Sequence, residues 1–282
     1  MTVPSSQSSP GTAGAPGASA TRTVRALVVR TAGTNCDRET CLALERGGAA
    51  PELKHVLELC EKPVLLDPVS IFVIPGGFSY GDDLGAGRVL GFQLRTRLAE
   101  ALARFVAKGG VVLGVCNGVQ VLADTGVLEG VRTARAERGV GLDVNASGRF
   151  ECRWVTLEAQ ASACAWLEPG ELLPVPVAHG EGRFTVRDPS VLQRLKQNRQ
   201  IALRYVRPDG SRAEYPDCPN GSVEEIAGIC DPTGRVLGLM PHPERNLTPW
   251  NHPRWTRLGP RAEGEGLRFY RRMVETASAL AK

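Results

Sequence analysis

Cys116 is the residue in this sequence best suited to catalysis, and we call the glycines on either side of it, Gly114 and Gly118, its glycine frame. Cys116 lies in residues 114–118, which read Gly-Val-Cys-Asn-Gly, at the end of the apolar run 111–115 and before the helix-like stretch 118–126. Glycines on both sides permit a strained turn between a strand and a helix, and the start of a helix favours a thiolate over a thiol. A buried core cysteine is the ordinary alternative. The strand, the frame and the helix together favour a nucleophile for acyl transfer.

A thiolate nucleophile needs a proton partner, and His242 is the best placed of the four histidines in the chain. It lies in residues 240–245, Met-Pro-His-Pro-Glu-Arg, at the end of the apolar run 236–240. Prolines on both sides favour extended backbone, so His242 and Glu244 project to the same side. Glu244 can then orient the imidazole, which predicts a triad of Cys116, His242 and Glu244. The alternative is a surface turn with an incidental histidine.

Acyl transfer also requires hydrogen-bond donors for the oxyanion of its tetrahedral intermediate. Gly76 and Gly77 follow a proline at the end of the apolar run 70–74 and can supply an unhindered backbone N–H. The amide of Asn117, next to the nucleophile, can supply a second donor. A Pro-Gly-Gly sequence alone usually indicates only a turn. Three strand ends that serve one reaction are stronger evidence than any one of them.

Apolar runs that alternate with helix-like stretches predict how these residues are brought together. Residues 25–30, 70–74 and 111–115 have the length and composition of buried parallel strands. Stretches with apolar residues at helical spacing, at 37–46 and 91–108, predict helices between them. The pattern therefore predicts an α/β fold, a mostly parallel open sheet with helices on both faces.

The remaining pattern predicts how the sheet is completed. A further strand is expected near residues 53–56, although periodicity leaves 52–61 ambiguous between strand and helix. After residue 129, short apolar runs follow one another with little helix between them, so mixed or antiparallel strands are expected to extend the same sheet. An amphipathic helix is expected to close the chain at 264–280. The later strands are expected at residues 152–157, 173–177, 201–206, 223–230 and 236–240.

Composition separates the chain into a tail and one domain. Residues 1–23 are rich in Ser, Pro, Gly and Ala and too poor in large apolar side chains to offset the entropy of ordering, so a disordered low-complexity tail is expected. Residues 24–282 show no internal repeat and no Pro/Ser-rich linker, so a single domain is expected. The sequence has no secretory signal and no apolar stretch of about 20 residues, so no membrane partner is expected.

Charge and cysteine usage exclude several classes of function. The 34 basic and 30 acidic residues give a net charge of +4 without a basic stripe, so nucleic acid is not an expected partner. The 8 cysteines include no Cys-x-x-Cys pair and no zinc-finger spacing, so no metal site is predicted. A chain of this size does not need disulfides, and a reducing cytoplasm is the expected location.

Several motifs, in one order, resemble those of the class I glutamine amidotransferases. They are the frame of Cys116, the Pro-Gly-Gly sequence at 75–77 and the His-Pro-Glu sequence at 242–244. Longer motifs resemble, within that class, the glutaminase subunit of phosphoribosylformylglycinamidine synthase, from purine biosynthesis. The similarity runs from residue 25 to the C-terminal helix. These longer motifs lie at residues 34–37, 75–82, 176–182, 220–222 and 240–245.

The resemblance implies a glutaminase that hydrolyses L-glutamine to glutamate and ammonia with the predicted triad. It implies a substrate site lined by Gly76, Gly77, Asn117 and Gln120. The ammonia would pass to a large synthetase subunit that uses ATP and Mg²⁺ to convert formylglycinamide ribonucleotide to formylglycinamidine ribonucleotide. A third small subunit is a further candidate partner. This chain is expected to hold no cofactor, and it contains no Gly-x-x-x-x-Gly-Lys-Ser/Thr loop for a nucleotide.

The chain departs from the family pattern at Asp83, where a tyrosine is usual, and at 84–87, where a more basic stretch is usual. These departures concern the partner interface or loop closure. The polar residues 179–182 are expected to contact substrate or partner rather than to catalyse. Three alternatives stay open: the glutaminase of another ammonia-using synthetase, a non-catalytic scaffold subunit, and a thiol peptidase or isomerase with the same cysteine turn.

Overall fold

The structure, a computed structural model, describes residues 23–130 and 138–280. The expected tail at 1–23 lies outside the described residues except for Thr23. The strands are β1 (Val24–Arg30), β2 (Ala49–His55), β3 (Ile71–Ile74), β4 (Val111–Val115), β5 (Val140–Asp143), β6 (Glu151–Ala159), β7 (Leu172–His179), β8 (Arg183–Val186), β9 (Ile201–Val206), β10 (Ile226–Cys230) and β11 (Val236–Leu239). The α-helices are α1 (Asp37–Arg46), α2 (Val56–Glu61), α3 (Arg88–Arg97), α4 (Ala99–Ala107), α5 (Asn117–Thr125), α6 (Pro189–Gln197) and α7 (Glu265–Leu280).

One nine-stranded sheet organises these elements, in the order β2-β1-β3-β4-β11-β10-β9-β6-β7. The strands from β2 to β11 are parallel to one another. From β10 to β7 each strand is antiparallel to its neighbour, and β5 pairs with β8 in a separate two-stranded sheet. The predicted α/β class, with a parallel sheet extended by antiparallel strands, is confirmed.

The strand order reverses between β1 and β3. The chain moves from β1 outward to β2, then returns to β3 and continues to β4 on the other side. Because parallel crossovers are right-handed, α1 and the α3–α4 pair lie on opposite faces of the sheet. A reversal of this kind opens a crevice at the carboxyl ends of the strands, which is where open α/β sheets bind ligands.

The central strands are apolar along their whole length because helices cover both of their faces. Every residue of β3 and of β4 is buried, and α5, which follows β4, is buried over most of its length. The closing helix α7 packs against α1 and buries one face that includes Phe269, Tyr270 and Met273. None of the helices in the described residues combines the length and the apolar character needed to cross a bilayer.

Several elements differ from the sequence-based prediction. The helix expected at 91–108 is divided at Leu98, whose backbone (φ −123°, ψ −1°) leaves helical geometry. The strand expected at 223–230 begins only at Ile226, because Glu224 (φ 48°) turns the preceding chain. The prediction also missed β5, β8 and α6. The sequence does contain a signal for the start of α6, because an aspartate followed by a proline is typical of a helix N-terminus. The Asp188 carboxylate accepts hydrogen bonds from the N–H groups of Ser190 and Val191.

Candidate active site

Four strand ends meet in the crevice where the strand order reverses. Gly76, after β3, is the point at which they converge. A Cβ placed on this glycine would lie 2.9 Å from His242 Cε1, 3.0 Å from Cys36 Sγ and 3.4 Å from Cys116 Cβ. These three residues follow β11, β1 and β4, so the loops after four parallel strands surround one glycine.

The nucleophile candidate has the strained backbone that its glycine frame predicts. Cys116 has φ 52° and ψ −110°, a conformation that non-glycine residues adopt only where the surrounding structure enforces it. Its N–H donates to Leu239 O over 2.8 Å, which fixes the turn against β11. Gly118 is required because a Cβ there would lie 1.9 Å from Ile74 O. The side chain is 6% exposed, and Sγ lies 3.7 Å from Ala178 O.

The imidazole of His242 lies beside a buried carboxylate and near Cys116, on the same side of Gly76. Its Nδ1 lies 2.6 Å from Glu244 Oε1, and the two side chains are 2% and 0% exposed. Burial lowers the pKa of His242, but the Glu244 carboxylate and the Cys116 sulfur outweigh burial and hold the pKa well above its usual value. Nε2 is buried and has no hydrogen-bond partner among the described residues. The structure thus brings the three predicted triad residues together, while their catalytic roles stay a prediction.

The peptide between Gly76 and Gly77 is oriented by the loop after β1. Cys36 N–H donates to Gly76 O over 3.2 Å. In a trans peptide the following N–H points to the opposite side from the carbonyl, so the Gly77 N–H points away from the group that holds Gly76 O. Gly77 has φ 146°, and a Cβ there would lie 2.8 Å from Gly33 O. This geometry is consistent with a backbone donor for an oxyanion.

The side chains of Asn117 and Gln120 join two loops beside the nucleophile. Asn117 Oδ1 accepts from Ser79 N–H at 3.1 Å, and its Nδ2 donates to Asp82 Oδ1 at 3.1 Å and to Gln120 Oε1 at 2.9 Å. Gln120 Nε2 donates to Glu181 O at 2.6 Å. Both side chains are buried. They therefore tie the loop after β3 to the loop after β7, and their contact with substrate stays a prediction.

Two residues without a predicted role also lie in this site. Cys36 is 1% exposed, and its Sγ accepts from Arg245 Nη2 over 3.2 Å. Arg245 Nε also donates to Glu39 Oε1 at 2.9 Å. Burial raises the pKa of the Cys36 thiol. Cys36 and Arg245 lie in the motifs at 34–37 and 240–245 that carry the family resemblance. The hydrogen bond between them joins residues 209 positions apart in the chain, so no local sequence pattern predicts it.

Part of this cluster has the composition of a metal site. One ligand atom each from Cys36, Glu39, His242 and Glu244 lies within 4.8 Å of the others. The Arg245 guanidinium already supplies positive charge to Cys36 and Glu39. These ligand atoms are therefore better matched to the Arg245 guanidinium than to a bound metal ion. The absence of a metal site stays a prediction.

Two further buried histidines contribute to packing. His179 Nδ1 lies 3.0 Å from Asn145 Oδ1, which also accepts from Gly182 N–H at 3.0 Å. Burial lowers the pKa of His179 to about 4, so the ring is neutral at pH 7 and braces the loop after β7. His252 is buried, and its ring centroid lies 5.1 Å from that of Trp154.

Comparison with known proteins agrees with this geometry. The family model for the CobB/CobQ-like glutamine amidotransferase domain matches residues 23–275. Phosphoribosylformylglycinamidine synthase subunit PurQ of Dehalococcoides mccartyi is 43% identical over 256 residues, which are 90% of this chain and 98% of that protein. The subunit of the same name from Methanococcus maripaludis is 40% identical over 82% of this chain and 85% of its own length. A chain in the structure of PurLQS from Thermotoga maritima superposes with a TM-score of 0.66 at 31% identity, over 90% of this chain and 99% of that one.

Proposed function

This chain belongs to the CobB/CobQ-like glutamine amidotransferase family, and we propose that it is the glutaminase subunit of a phosphoribosylformylglycinamidine synthase. The observation that carries the proposal is the 43% identity to a PurQ subunit over 98% of that subunit's length. The cluster of Cys116, His242 and Glu244 in the crevice supplies the chemistry that such a subunit needs.

The first half of the reaction forms a thioester on Cys116. His242 takes the thiol proton, and the thiolate attacks the carboxamide carbon of L-glutamine. The oxyanion that forms accepts hydrogen bonds from the backbone N–H groups of Gly77 and Asn117. When the C–N bond breaks, the His242 imidazolium gives its proton to the departing nitrogen, and ammonia leaves. The raised pKa of His242, caused by Glu244 and Cys116 against the effect of burial, keeps this acid available.

The second half hydrolyses the thioester. Neutral His242 takes a proton from water, the resulting hydroxide attacks the acyl carbon, and the same donors stabilise the second oxyanion. Collapse of the intermediate breaks the C–S bond and releases glutamate, and the His242 imidazolium returns its proton to the Cys116 sulfur. Glu244 holds the imidazole in one orientation through both halves because its carboxylate accepts from Nδ1 at 2.6 Å.

The ammonia passes to a large synthetase subunit, which uses it with ATP and Mg²⁺ to convert formylglycinamide ribonucleotide to the amidine. The relative from Thermotoga maritima is described as PurLQS, which supports a synthetase partner and a third small subunit. Phe78 and Leu84, in the loop after β3, are 46% and 73% exposed and are candidates for that contact. All eight cysteines are free, which supports a cytoplasmic location.

The test compares nitrogen sources in the assembled enzyme. Native chain and Cys116→Ala are each combined with the synthetase subunit, ATP, Mg²⁺ and formylglycinamide ribonucleotide, with glutamine or ammonium supplied. Cys60→Ala, at a half-buried cysteine outside the site, is the matched control. We expect Cys116→Ala to lose glutamine-driven amidine formation and to keep ammonium-driven formation. If the native chain supports neither reaction, another acceptor must be sought; if Cys116→Ala retains the glutamine reaction, the nucleophile is wrong.

A further inference from the structure

Cys36 contacts the catalytic crevice through both its backbone and its sulfur. Its N–H donates to Gly76 O over 3.2 Å. Its Sγ lies 3.0 Å from the position that a Cβ on Gly76 would take, and His242 Cε1 lies 2.9 Å from the same position. One buried residue therefore fixes the carbonyl of Gly76 and also packs on the Cα of Gly76, beside the imidazole.

The sulfur of Cys36 is itself held from behind. Arg245 Nη2 donates to Sγ at 3.2 Å, while Arg245 Nε donates to Glu39 Oε1 at 2.9 Å. The thiol of Cys36 in turn donates to Asn35 Oδ1, 3.2 Å away. Because Arg245 follows His242 by three residues, these bonds tie the loop after β11 to the loop after β1 at the level of the imidazole.

We propose that Cys36 is a positioning residue for the glutaminase reaction. Its sulfur, held by Arg245, sets the distance between Gly76 and His242 and so aims the Gly77 N–H at the oxyanion. This inference rests on the proposed function. Cys36 acts through Gly76 and His242, and it does not itself attack the substrate.

A role as a second nucleophile does not fit these contacts. The thiol of Cys36 already donates to Asn35 and accepts from Arg245, and its burial raises the thiol pKa, which opposes formation of a thiolate. The sulfur also leaves no room beside Gly76. A side chain of this volume that can accept a bond from Arg245 is what the position requires, and serine preserves the second property better than alanine.

The experiment uses the assembled enzyme with Cys36→Ala and Cys36→Ser, and Cys60→Ala as the matched control. Glutamine-driven kcat and KM, ammonium-driven turnover and thermal unfolding are measured for each. The affinity for L-glutamate γ-semialdehyde is also measured, because this aldehyde forms a tetrahedral adduct with Cys116 whose oxygen occupies the oxyanion position. Glutamate binding serves as the reference without an oxyanion.

We expect Cys36→Ala to lower kcat by roughly tenfold to a hundredfold with little change in KM, since displacing an oxyanion donor affects the transition state more than the ground state. The affinity for the aldehyde should fall by a similar factor, whereas the affinity for glutamate should not change. Cys36→Ser should recover most of both losses, and ammonium-driven turnover should match that of the native enzyme.

Two results would overturn the proposal. In one, Cys36→Ala retains native kcat and aldehyde affinity. In the other, kcat, KM, glutamate binding and thermal stability all deteriorate together and serine recovers none of them, which indicates a structural role only. Failure of the proposed function is distinguishable, because the native enzyme and the Cys60→Ala control would then also lack glutamine-driven turnover.

Discussion

Replacement of Gly76 by alanine is the sharpest test of how this site is packed. Gly76 is not among the glycines with positive φ, so its backbone can accept alanine without strain. The new methyl carbon would lie 2.9 Å from His242 Cε1 and 3.0 Å from Cys36 Sγ, whereas ordinary contacts begin at 3.4 Å. If the methyl group stays in place, the imidazole must retreat by 3.4 − 2.9 = 0.5 Å. Glu244, bonded to the ring at 2.6 Å, resists that movement.

A displacement of 0.5 Å should cost about tenfold in glutamine-driven kcat, about 1.4 kcal/mol in the barrier, because a misplacement of about 1 Å costs about a hundredfold. The assay is glutamate release by the assembled enzyme. Ammonium-driven turnover should be unchanged, since that reaction does not use the crevice. Gly141→Ala is the matched control, because it lies in the small β5–β8 sheet, where the nearest contact for a new Cβ is the Thr185 hydroxyl at 3.3 Å.

The reasoning is refuted if Gly76→Ala hydrolyses glutamine within twofold of the native rate. Loss of activity through unfolding is recognised separately, because thermal unfolding and ammonium-driven turnover report on the integrity of the subunit and of the complex. A variant with native stability and a rate about tenfold lower would place the defect in the geometry around His242.

Two predictions concern titration. Glu244→Gln should lower kcat by roughly 10²- to 10⁴-fold and move the alkaline limb of the pH profile to lower pH, because burial then lowers the pKa of His242 without the opposing carboxylate; an unmoved limb would contradict this account. His179, with a folded pKa of about 4 against about 6.5 when unfolded, binds fewer protons folded than unfolded. Stability should therefore fall as pH drops from about 6.5 to about 4, by up to about 3 kcal/mol. The free energy of unfolding of His179→Gln, measured in urea, should therefore fall less between pH 7 and pH 4.5 than that of the native protein. An equal fall in the two proteins would count against this prediction.

The sequence pattern predicted those features whose conformation depends only on neighbouring residues. The strained turn at Cys116 follows from its two glycines. The pairing of His242 with Glu244 was predicted from extended backbone, whereas Pro243–Arg245 form a short 3₁₀ helix that brings the two side chains together. The buried strands β3 and β4 were readable because a strand covered on both faces is apolar throughout. Periodicity failed at Leu98, since apolar spacing continues across the break between α3 and α4.

Only the tertiary structure decided which residues outside these motifs share the crevice. Cys36 and Arg245 are 209 residues apart in the chain. They meet because β1 and β11 are both parallel to β3 and β4, so that the loops after all four strands lie at the same edge of the sheet. The sequence by itself determined the chemical types at the strand ends, because side-chain chemistry and turn geometry are properties of neighbouring residues. The distances among those ends depend on strand order and register, which the whole sheet sets at once.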